Sequence, residues 1–228
     1  MPERPRMGRR RPVVACEPDL SPAYKAAIET AIRWAWSEIL AGSAELIQNG
    51  KEEEITTQIQ LVLNENNPKN WRRRAPGLED FETVDRGAKV VTADGRIEKQ
   101  PDLVFRPIVG HGVRNRSHWG MFVECKIISH ERHHSPDNYC NSGLLKFAKG
   151  EYAALMSSGA MVAYVRDGSR PFEALGPLLG TGYATVFSER GATEDTSTSR
   201  HDRSKLNNPC VEITLTHLWL DCSVAALG

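Results

Sequence analysis

The chain has 228 residues, 40% of them hydrophobic and 25% charged, and its 29 Lys plus Arg balance 29 Asp plus Glu. This length suits one domain with a sizeable core. A formal net charge of zero excludes attraction to nucleic acid by global charge and leaves only local basic patches to do it.

Residues 1–20 hold four prolines and five arginines and read as a flexible basic lead-in, with no apolar signal segment after it. One domain is expected over 21–228. Ser21 can cap a helix and Pro22 suits its first position. Ala27, Ile28, Ala31, Ile32, Ala35, Trp36, Ile39 and Leu40 then recur at helical spacing. A second helix is predicted over about 51–66, with Ile55, Ile59, Val62 and Leu63 on one face and Asn66-Asn67-Pro68 ending it.

The period then changes. Phe81–Val91 and Ile97–Ile108 read as strands around an Asp94-Gly95 hairpin turn, and Met121–Ile128 as a third, apolar strand. His130–Asn138 reads as a polar loop, and Tyr139–Ser158 as a helix capped by Gly159. Ala160–Val165 is expected as a short buried strand and 171–180 as a short helix. The polar stretch 189–209 is expected as a mobile loop, and Val211–Cys222 as a last strand. The class is α/β with a mixed central sheet flanked by helices.

Chemistry concentrates in two strands. Pro101-Asp102 opens the second, and Glu124-Cys125-Lys126 stands in the middle of the third. Side chains alternate along a strand, so Glu124 and Lys126 share a face and Cys125 points away. Adjacent antiparallel strands would set Asp102 beside Glu124. The two carboxylates, with the Cys125 carbonyl as a further oxygen, suit a hard divalent cation such as magnesium, with manganese as substitute. Lys126 would orient or help deprotonate a water, or neutralise phosphate charge. A merely structural buried Glu–Lys pair is the alternative.

This pattern resembles the PD-(D/E)xK nuclease superfamily, which includes many restriction endonucleases, over roughly residues 51–166. The resemblance implies a restriction-endonuclease-like core, magnesium-dependent phosphodiester cleavage and a nucleic-acid substrate, DNA before RNA. It also suggests a bacterial restriction or antiviral-defence role, with an activating ligand or partner protein. Members often add an acidic residue from the preceding helix. At about 100° per residue Glu52 falls within the stripe of Ile55, Ile59 and Val62, whereas Glu53 and Glu54 point away. Glu52 is therefore the fourth candidate for catalysis and metal binding, beside the reading of an acidic first turn favoured by the helix dipole. A non-catalytic nucleic-acid-binding or assembly module is the rival function.

Other signals are weaker. Glu151 would sit on the apolar stripe of the later helix, as a contact to Lys126 or substrate or as a core-edge residue. His130, His133, His134 and Cys140 lack paired zinc-ligand spacing and suit a polar loop beside the site. Arg72–Arg74 after Trp71, the run Arg114, Arg116, His118 and Trp119, and the segment Ser199–Arg203 are candidate nucleic-acid contacts. The helix bearing Trp34 and Trp36 is a candidate homo-oligomer face as well as a core element. Five cysteines, odd in number and without a C-x-x-C pair, suggest free thiols in a reducing cytoplasm. No apolar run reaches the roughly 18 residues of a membrane span.

Overall fold

Ser21 opens the first helix as its sequence suggests: its hydroxyl accepts from the Tyr24 N–H, and helix α1 (Pro22–Gly42) begins there with proline in its first turn. The structure is a computed structural model and describes residues 15–65, 74–86, 99–180, 186–190, 193–206 and 208–222. The inner stripe of α1 is buried from Ala27 to Ile39. Trp36 stacks on Tyr164 at 5.5 Å and donates its indole N–H to the Asp221 carbonyl. Trp34 and Trp36 are 7% and 5% exposed, so both side chains belong to the core. After a short helix α2 (Ala44–Asn49), helix α3 (Glu52–Asn64) buries Ile55, Ile59 and Leu63, and the Glu54 carboxylate caps the Lys51 N–H.

The sheet has six strands: β1 (Leu103–Phe105), β2 (Met121–Ile128), β3 (Ser158–Val165), β4 (Val186–Arg190), β5 (Thr196–Asp202) and β6 (Glu212–Asp221). Their spatial order is β1-β2-β3-β6-β5-β4. The pairs β2/β3 and β3/β6 are parallel and the others antiparallel, so the sheet is mixed. Every residue of β3 is buried, as expected of a central strand covered on both faces. One face, carrying Cys125 and Tyr164, lies under α1 and α3. The other, carrying Glu124, Lys126, Met161 and His217, lies under a helical segment at 136–148 (α4). Helix α5 (Pro171–Leu178) comes after β3. Among the described residues, no helix is long and apolar enough to cross a membrane.

Several expectations need correction. Of the predicted first strand, the described part makes only isolated bridges, Phe81 to Pro107 and Asp85 to Val104; the hairpin turn itself lies outside the described residues. The helix expected at Tyr139–Ser158 starts earlier, with Ser135 as cap and Pro136 in its first turn, and stops at Ala148. Gly150 (φ 70°) and Ala153 (φ 48°) turn the chain out of helical geometry, and Gly159 lies inside β3. The stretch expected as a mobile loop contains β5. Residues 15–20 are tied down: buried Glu17 accepts from the N–H groups of Arg114 and Asn115, and Ser158 donates to Asp19. Cys16 is joined to Cys210 in a disulfide with Cα atoms 5.3 Å apart, while Cys125, Cys140 and Cys222 are buried free thiols.

Candidate active site

The site forms where β1 parts from β2. Asp102, just before β1, donates its N–H to the Val123 carbonyl, and beyond that point no strand among the described residues pairs with this edge of β2. Alternate residues of a strand turn their N–H groups toward the same neighbour. The N–H groups of Cys125 and Ile127 therefore face the gap. Two carboxylates take them: Asp102 Oδ2 accepts from Cys125 at 2.7 Å, and Glu52 Oε2, at the first turn of α3, accepts from Ile127 at 3.3 Å. Side-chain acceptors thus complete the ladder, and acidic groups 50 residues apart in the chain gather at one edge of β2.

Glu124 and Lys126 project between these groups. Three oxygens surround Lys126 Nζ: Glu52 Oε1 at 2.6 Å, the Cys125 carbonyl at 2.7 Å and Glu124 Oε1 at 2.9 Å. Burial alone would lower the pKa of this ammonium, but Glu124 and Glu52 more than offset it and hold it above its usual range. Lys126 is therefore a fixed cation. Burial, with Glu124 next in importance, pushes the Asp102 carboxyl up to about 6 against the lowering effects of the Cys125 N–H and Lys126.

A metal would find suitable partners here. Glu124 is 1% exposed, and its Oε2 is buried without a hydrogen-bond partner among the described residues. A buried carboxylate oxygen left bare is costly unless something electropositive meets it. The donors around it, Asp102, Glu124, Glu52 and the Cys125 carbonyl, are all hard oxygens of the kind magnesium takes. The Cys125 carbonyl already serves Lys126, so the carboxylates form the core of such a set.

A second lysine completes the cluster, and sequence reasoning missed it. Lys146 Nζ lies 2.5 Å from Glu124 Oε1, 3.3 Å from the Tyr152 hydroxyl and 5.2 Å from the Tyr152 ring centre. It stands on α4, whose α-helical ends Pro136–Tyr139 and Leu145–Ala148 flank a π-helical stretch Cys140–Leu144. The π turn inserts a residue and rotates the helix beyond it, so the faces of its two α-helical ends do not follow one 100° wheel. Gly143 lets this stretch lie close to the sheet: a Cβ there would stand 2.5 Å from Met161 Cε and 3.5 Å from Lys126 Cγ. The turn after α4 is pinned by fully buried Arg203, which donates to the carbonyls of Phe147, Tyr152, Ala153 and Met156.

Lys126, Lys146 and Glu52 line a cleft of about 550 Å³, joined by Lys99, Lys149, His133, His134 and Asn141 among others. Glu151 is off the helix and pairs with Lys99 at 2.8 Å. His133 and His134 line the cleft as parts of a short 3-10 turn, and with Glu131 their ligand atoms lie within 4.8 Å of one another; buried Cys140 is not part of that group. Several of the other candidate contacts have partners within the chain. Arg114 and Trp119 bond the carbonyls of Cys16 and Pro18, and Arg116 pairs with Glu82. Arg74 pairs with Glu38, Arg72 and Arg73 lie outside the described residues, and Ser199 and His201 are buried in β5.

No family model, no curated protein and no solved structure matches this chain.

Proposed function

We propose that the chain is a magnesium-dependent nuclease of the PD-(D/E)xK, restriction-endonuclease-like type, acting on DNA before RNA. The observation that carries this reading is the gathering of Asp102, Glu124 and Glu52 around Lys126 at the open edge of β2, with one buried Glu124 oxygen unpartnered among the described residues. Asp102, Glu124 and Glu52 would hold the cation, with the Cys125 carbonyl beside them. When bound, magnesium supplies Lewis-acid polarisation of the phosphate and a more acidic water.

The remaining chemistry belongs to the chain. Water adds to phosphorus, one bridging P–O bond breaks, and the leaving oxygen ends as an alcohol carrying one of the water's protons. Lys126 keeps the Glu52 and Glu124 carboxylates apart at fixed distances, which pre-orders the ligands before substrate arrives. The β2 N–H groups hold Asp102 and Glu52 in place on the rigid edge of a strand. The lysines of the cleft offset the charge of a polyanion.

The test is incubation of the pure chain with plasmid, linear duplex, single-stranded DNA and RNA, with and without magnesium. Magnesium-dependent cleavage that vanishes in both Asp102→Asn and Glu124→Gln supports the reading. Correctly folded protein that cleaves none of the four substrates, or cleavage that survives both substitutions, overturns it.

A further inference from the structure

The two lysines at Glu124 are not equivalent. All three N–H donors of Lys126 have an oxygen within 2.9 Å, and its side chain is 11% exposed. It has no donor left for a ligand unless it abandons one of these partners. Lys146 meets one carboxylate oxygen and the more distant Tyr152 hydroxyl, its side chain is 24% exposed, and it faces the same cleft. Both ammonium groups lean on a single oxygen, Glu124 Oε1. Two cations drawn to one atom repel each other, and the less enclosed one is the easier to move toward a new anion.

The geometry points to Lys146, rather than Lys126, as the cation that binds the phosphodiester of the substrate. Lys126 is the internal counter-ion that orders the carboxylates. Tyr152 is a positioning residue: its hydroxyl donates to the Gln100 carbonyl at 3.0 Å, so its lone pairs are turned toward Lys146, and its ring lies beside the ammonium. The π turn and Gly143 bring Lys146 over the sheet, in keeping with the frequent use of π bulges at functional sites. This assignment rests on the nuclease reading above, because it presumes a phosphodiester in the cleft.

The experiment separates binding from cleavage. Affinity of the full chain for a fluorescent duplex and a fluorescent single-stranded oligonucleotide is measured in excess chelator over a salt series, and cleavage of both is measured with magnesium. Lys146→Met is expected to weaken chelator-state binding about tenfold, to reduce the salt slope by about 1, and to slow cleavage more than a hundredfold. Lys146→Arg should restore most of the binding. Lys126→Met should abolish cleavage and change chelator-state affinity less than threefold. Tyr152→Phe should raise KM more than it lowers kcat. Melting curves accompany each variant, and Lys146→Gln replaces Lys146→Met if the latter fails to fold. Wild-type chain that binds and cleaves while Lys146→Met and Lys146→Gln bind and cleave equally well overturns this assignment alone. So does Lys126→Met losing affinity as Lys146→Met does. Wild-type chain that neither binds nor cleaves nucleic acid overturns the nuclease reading and this assignment with it.

Discussion

Glu52 of α3 and Lys126 of β2, 74 residues apart in the chain, meet at 2.6 Å, while the other Glu52 oxygen accepts the Ile127 N–H. One carboxylate thus joins a helix terminus to the open edge of a strand. Its neighbours point elsewhere: Glu53 pairs with Arg86 at the surface and Glu54 caps its own helix.

This contrast sets the first prediction. Glu52→Gln should lower cleavage at least a hundredfold, because a metal-binding charge is lost where shape is nearly kept. Glu53→Gln and Glu54→Gln should stay within about threefold of wild type. Steady-state rates on a common duplex check it, and a damaging Glu54→Gln beside a harmless Glu52→Gln would mean that the fourth carboxylate is wrongly assigned.

Asp102 should reveal itself through stability. Unfolded, its carboxyl titrates near 3.8; folded, near 6. Between those values the native state holds a proton that the unfolded state has lost, so this group's contribution to stability rises as pH falls from 6 to 4. Above 6 the buried charge is a standing cost of roughly 2–3 kcal/mol. Asp102→Asn, measured in chelator, should therefore be more stable than wild type at pH 7, with the gap closing by pH 4. Denaturant melts at both pH values decide it: an Asn variant no more stable at pH 7 would refute the strained-carboxylate account.

Cleavage should require Mg²⁺ or Mn²⁺ and stop in chelator. The cation should also stabilise the folded chain without substrate, by about 2.7 kcal/mol at a hundredfold excess over its Kd. Glu124→Gln should abolish that shift, since the unpartnered Oε2 is the oxygen argued to await the metal. Thermal melts over a Mn²⁺ titration provide the readout. Cleavage at full rate in excess chelator would refute the metal mechanism.

Arg203 holds the turn that carries Tyr152 through five N–H contacts to four carbonyls, fully buried. Lysine has the charge but not the planar fork. Arg203→Lys should cost roughly 3–5 kcal/mol, the scale of a buried charge deprived of partners. At temperatures where it stays folded it should also slow cleavage, by loosening Tyr152 and Lys146. A variant as stable as wild type in urea melts would show that the carbonyls do not need the guanidinium.

Elements whose signals are local can be read directly from the residues. Caps and a 3.6-residue period delimit α1 and α3, and the same period turns Glu52 inward with Ile55 and Ile59. An apolar run marks β2, and strand alternation puts Glu124 and Lys126 on one side and Cys125 on the other. The remaining features come from folding, because each depends on partners far away in the chain. β5 reads as a polar loop, yet Ser199 and His201 are buried there because Ser199 bonds His217 of β6 and His201 beside it. Cys16 finds Cys210 across 194 residues. Lys146 reaches Glu124 only through the packing of α4 on the sheet, where the π stretch lies close to Met161 at Gly143. Among the described residues, the site forms where β1 leaves β2 at Asp102. That exposes two N–H groups whose need for acceptors draws carboxylates from two separate elements to one edge, and no local pattern records where two strands will part.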